Sequence, residues 1–143
     1  MARTNKLQKF VMRDDMFDGK FSPTQEFAQE TYAMLNRYIF DNGLKPVPLV
    51  IKRTRGYWGI TDGRVDTVND EYRVHNIRLC NKYPVRAMFV ATLAHEMIHQ
   101  FQWDILSNER YDQGKPPIMS HGPSFFAWKP ALAEYHIPLT KVQ

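Results

Sequence analysis

Two histidines four residues apart, His95 and His99, fall inside an apolar run from Pro84 to about Leu106, with Glu96 beside the first. Val85, Met88, Phe89, Leu93, Met97 and Phe101 spread over much of a helical circumference, which predicts a buried helix. That placement restricts the fold, because an imidazole taken out of water must have a partner. Residues i and i+4 share one helix face, about one turn apart, so both rings aim at a common point. His95-Glu96-Met97-Ile98-His99 is the H-E-x-x-H pattern. Its plainer account is a core helix with two satisfied histidines. Its chemical account is a metal ion. Zn2+ accepts neutral imidazole, has no redox chemistry, and in catalytic sites takes three protein ligands plus water. Glu96, turned by about 100° from His95, would not ligate. Its carboxylate would face the attacking water as general base and then as general acid.

A third ligand must come from beyond this helix. A Gly three residues after His99 and a His six after would indicate a metzincin loop, but those positions hold Gln102 and Ile105. Asp104, Glu109, Asp112, His121, Glu134 and His136 stay open as candidates. His121 is favoured among them, since histidine is the commonest ligand in such sites. It also precedes Gly122-Pro123, a tight loop entering a helix, which would aim its ring back at the metal.

The rest of the chain predicts the frame. Residues 1–21 read as an N-terminal arm and 22–143 as one domain. Ser22-Pro23-Thr24-Gln25 predicts a helix start, with Ser22 as cap and Gln25 completing a capping box; the helix runs from about 23 to 41, with Gly43 as stop. Strands are expected at Val47 to Ile51, at Tyr57 to Ile60, and over 74–80, with a hairpin turn at Asp62-Gly63 across which Val65 to Val68 pair. A polar loop is expected over 107–121. Pro123 then opens a last helix that Pro130 should kink or split. The fold class is α+β: three main helices packed against a small, largely antiparallel sheet.

Composition narrows the function classes. At 43% hydrophobic and 24% charged, the chain can build a core without disulfides. Cys80 is alone, which excludes a Cys-based zinc site and an intramolecular disulfide. No run is apolar enough to span a bilayer, and Met1 to Phe10 has no signal-type apolar core, so the expectation is a cytoplasmic monomer without membrane contact. The net charge of +4 serves solubility or attraction to a polyanion. Arg3, Lys6 and Lys9, then Lys52, Arg53 and Arg55, are the loose basic clusters. Tyr57 and Trp58 read as sheet packing, or as an aromatic wall at a cleft. His75 reads as a surface or packing histidine, and His136 as a partner of a helix C-terminus.

His95-Glu96-Met97-Ile98-His99 followed by His121-Gly122-Pro123-Ser124-Phe125 resembles the SprT-like (Spartan-type) zinc metallopeptidase family. Its members pair a H-E-M-I-H-type helix with a downstream H-G-x-x-F element. Gly59-Ile60 and Ile77-Arg78-Leu79 are similar to two strand segments of that family, so the likeness covers about residues 22–136. The resemblance implies a minimal zincin-like domain of gluzincin type. It implies one Zn2+ held by His95, His99 and His121, with Glu96 as catalytic base. It implies hydrolysis of protein substrates, including proteins bound or crosslinked to DNA. The sequence departs from many relatives in having no Cys-rich ribbon, which weakens any DNA role resting on that module. The competing expectation is a non-proteolytic, zinc-containing protein that binds nucleic acid or belongs to a particle. By analogy with zincin clefts, substrate would lie along the strand 74–80. Tyr111, Tyr135 or Arg110 would assist at the developing oxyanion.

Overall fold

The computed structural model describes residues 21–141. The arm expected over 1–21 lies outside the described residues, Phe21 excepted. Phe21 pairs with Tyr83 in an isolated antiparallel bridge and packs edge-on to Phe27.

Helix α1 spans Gln25–Tyr38. Its cap is Thr24 rather than the expected Ser22: the Thr24 hydroxyl accepts the Phe27 N–H at 3.0 Å. Gln25 does not close a capping box. Its amide donates to the Leu49 carbonyl at 3.0 Å and ties the helix start to the sheet. The helix ends before Asp41 and Asn42, both left-handed, and buries Ala28, Tyr32 and Leu35.

Strands β1 (Leu49–Lys52), β2 (Gly59–Asp66) and β3 (Glu71–Cys80) form one sheet in the order β1-β3-β2. It is mixed, not largely antiparallel. β2 pairs antiparallel to β3, whereas β1 runs parallel to β3, with Leu49 opposite Ile77. The expected turn at Asp62-Gly63 is instead a bulge inside β2. Gly63 is there for space: a Cβ would meet the Trp103 ring at 2.7 Å. The chain reverses over 67–70, where the Asp66 carboxylate accepts the N–H groups of Val68 and Asn69. An Asx-type hydrogen bond thus outcompetes the Asp-Gly signal. β3 is the central strand, so it offers no free edge along 77–80; β1 and β2 are the edges.

Helix α2 (Arg86–Phe101) carries the H-E-x-x-H segment and is buried continuously from Phe89 to Gln100. It passes into a π-helical turn, Gln102–Leu106, and then α3, Ser107–Asp112, so the expected loop begins only after residue 112. The last expected helix is split in two, as Pro130 predicts: α4 (Pro123–Phe126) and α5 (Lys129–Ala133). Pro130 sits in the first turn of α5, where its missing N–H leaves no helical bond unmade. Phe89, Leu93, Met97, Ile98, Ile77, Leu79, Leu35 and Phe125 are fully buried and join α1, α2, the sheet and α4 in one core. Among the described residues, no helix is long and apolar enough to cross a membrane.

Candidate metal centre

The three histidines singled out by the sequence come together. His121 Nε2 lies 3.2 Å from His99 Nε2 and 3.2 Å from His95 Nε2. Each ring offers one nitrogen, and all three lie within 4.8 Å of one another. The far sides of the rings explain the orientation. His95 Nδ1 is 3.0 Å from the Thr140 carbonyl, and His99 Nδ1 is 2.8 Å from Gln102 Oε1. Both partners accept, so in the neutral rings Nδ1 carries the proton and Nε2 presents its lone pair. Such outer partners fix tautomer and aim in metal-binding histidines. Burial holds His99 below the ordinary imidazole range, opposed by its bond to Gln102 and reinforced by His121, which keeps it in the neutral, ligating form.

The donor set fits a small tetrahedral cation. Nitrogens each about 2.0–2.1 Å from Zn2+ stand about 3.3 Å apart, close to the two 3.2 Å separations from His121 Nε2. Without a cation, a protonated His121 Nε2 can donate to only one of its neighbours, and the lone pair of the other is left without a donor. A cation would give all three lone pairs a partner. Phe125 forms the floor: its buried ring lies 4.7, 5.0 and 4.9 Å, centroid to centroid, from His95, His99 and His121.

Glu96 sits at the rim of the cluster, buried, with Oε2 3.9 Å from His95 Nε2. The Thr61 hydroxyl lies 2.8 Å from Oε1 and 2.9 Å from the Glu96 carbonyl. Burial pushes the Glu96 carboxyl up to about 7, against hydrogen bonding from Thr61 that lowers it. Contact between β2 and α2 depends on Gly59. A Cβ there would meet Thr92 Cγ2 at 2.9 Å and Glu96 Cγ at 3.1 Å. Gly59→Ala should therefore cost about 1–3 kcal/mol, read as a lower urea midpoint, by prying β2 off the helix. A midpoint unchanged from wild type would contradict this close packing.

The other sequence candidates lie elsewhere. Asp104 accepts the Val74 N–H at 2.7 Å on the far side of β3. His75 and His136 are exposed, and neither joins the cluster; nor do Glu109, Asp112 or Glu134. Tyr111 donates to Asp70, Arg110 holds the Pro116 carbonyl, and Tyr135 is buried in the core. Trp58 packs on Tyr83, whose hydroxyl donates to the Trp58 carbonyl at 2.7 Å, so Trp58 serves sheet packing. Sequence reasoning missed Thr61, Gln102 and the Thr140 carbonyl, and quoted Phe125 only as part of the H-G-x-x-F element. Of the three missed, only Gln102 left a signal, as a polar residue one turn past His99 on the same helix face.

No family model, curated protein or solved structure matches the chain.

Proposed function

We propose that this protein is a zinc-dependent metalloendopeptidase of the H-E-x-x-H type, with a minimal zincin-like domain. The observation that carries the proposal is the combination at one point of three converging imidazoles and a buried carboxylate. Among the described residues the group comprises His95, His99 and His121 and no fourth ligand. Catalytic zinc sites keep such an open position, whereas structural sites close it. This favours an enzyme over a purely structural zinc protein.

Zinc bound there would polarise the scissile carbonyl and lower the pKa of the attacking water. The chain's own residues supply the proton handling. Ionised Glu96 would accept a proton from the attacking water while Thr61 donates to its Oε1. Once protonated, Glu96 would donate to the leaving amine, and the Thr61 hydroxyl could turn to the Glu96 carbonyl. Thr61 thus has a partner in either state. β2 is one of the two edge strands of the sheet and the one whose Gly59–Thr61 portion runs beside Glu96, so an extended peptide is best received along β2 rather than along the central strand. Lys52 ends β1, and Arg53 and Arg55 follow it before β2; all three are exposed and give this end of the sheet a basic rim. That rim supports protein substrates carried on DNA. Binding to a DNA fragment should fall steeply between low and physiological salt; an absence of binding at low salt would remove the DNA part alone.

The reading is tested by incubating the zinc-loaded protein with casein and with histone, with and without a chelator. Fragments that accumulate only with metal support it. A protein that holds one zinc per chain and leaves both substrates intact would support the structural alternative.

A further inference from the structure

Gln102 makes four side-chain hydrogen bonds beside the cluster. Its side chain is fully buried at the first position of the π-helical turn. Oε1 accepts from His99 Nδ1 at 2.8 Å and from the Ser120 N–H at 3.2 Å. Nε2 donates to the Ser120 carbonyl at 3.0 Å and to Ser124 Oγ at 2.9 Å. These partners fix which end of the amide is which, since a carbonyl must face Nε2 and an N–H must face Oε1. One carboxamide therefore grips His99, the residue before His121, and the first turn of α4.

The backbone is shaped to allow this. In an α-helix the Gln102 carbonyl would be taken by residue 106. In the π-turn it is taken by the Ser107 N–H, and the Ser107 hydroxyl also lies 2.9 Å from it. The same hydroxyl accepts the Ile118 N–H at 2.9 Å. The widened turn thus places two side chains, Gln102 and Ser107, against the 113–122 segment at its far end, next to His121.

We propose that Gln102 is the positioning residue of the metal centre: it sets the tautomer of His99 and docks the segment that delivers His121, so both ligands are preorganised by one side chain. This rests on the reading of the cluster as a metal site. Outer partners of this kind are worth about 10–100-fold in metal affinity. A purely structural glutamine would affect stability alone.

The test uses the full chain with Co2+ and Zn2+ as probes, and Gln102→Met, which keeps the volume and the helix propensity while removing every hydrogen bond. Expected results are a loss of about 10–100-fold in Zn2+ affinity by chelator competition and an altered Co2+ visible spectrum. In the metal-free protein, imidazole nitrogen NMR should find His99 as the Nδ1–H tautomer in wild type and as a mixture in Gln102→Met. Gln102→Glu, which keeps an acceptor, should restore that tautomer. Should Gln102→Met fail to fold, Ser124→Ala, which removes one outer contact, takes its place, with a smaller loss of Zn2+ affinity expected. Wild-type affinity, spectrum and His99 tautomer in Gln102→Met, or wild-type Zn2+ affinity in Ser124→Ala if that variant is used, would overturn the proposal even if the melting temperature fell. If wild type takes up no metal while the tautomer still depends on residue 102, the metal reading fails and the role of Gln102 in holding the His99 ring stands.

Discussion

Glu96→Gln should abolish peptide hydrolysis while leaving zinc in place. The replacement is isosteric, so the Thr61 hydroxyl keeps a partner at Oε1 and α2 keeps its packing. What is lost is the ability to accept a proton. General base catalysis contributes about 10²–10⁴-fold, and casein cleavage should fall by that amount. Zinc content should stay at the wild-type level, because Glu96 stands outside the three-nitrogen group. The two readouts separate the alternatives. A variant that cleaves at the wild-type rate removes Glu96 from the mechanism. One that loses zinc makes Glu96 a ligand or a structural support instead.

Zinc should also be a large term in the stability of the fold. His95, His99 and His121 come from a buried helix and from a segment more than twenty residues further on, so the site exists only when the chain is folded. A ligand that binds the native state alone stabilises it by RT ln(1 + [L]/Kd), about 4 kcal/mol at a thousandfold excess over Kd. For a domain of this size that is on the order of 10–20 °C in the melting temperature. His121→Ala should erase most of the increment while costing little in the metal-free protein, since His121 is exposed there. Calorimetry of both proteins with and without Zn2+ checks this. An equal rise in both would show that His121 is not a ligand.

The two expectations share a cause in the chain's local and distant parts. His95 and His99 are brought together by helical spacing, which is a property of five consecutive residues, and Glu96 follows from the same turn. A helix capable of carrying them was legible because its apolar residues surround it. The division of the last helix at Pro130 was legible for a similarly local reason: a missing N–H.

Other features were settled by residues far apart in sequence. Asp62-Gly63 has the letters of a turn, yet Trp103, forty residues on, occupies the space beneath Gly63 and leaves it in a strand. The largely antiparallel sheet became a mixed one because β1 joins the far side of β3, and strand order is not written in any short segment. That order also leaves β3 without a free edge, which is why the proposed peptide site is on β2.

At the candidate metal centre the sequence by itself indicated the two helix histidines, the carboxylate beside them and the preference for His121, because spacing on a helix and donor chemistry are local. Tertiary structure alone decided how they are held. Thr61 reaches Glu96 from β2 across the gap that Gly59 leaves, the Thr140 carbonyl orients His95, and Gln102 ties His99 to the approach to His121. Apart from the His99–Gln102 bond, which lies within one helical turn, each of these is a hydrogen bond whose partners meet only after the core has closed. The chemistry of the site is carried by residue type and spacing, and its geometry by long-range packing.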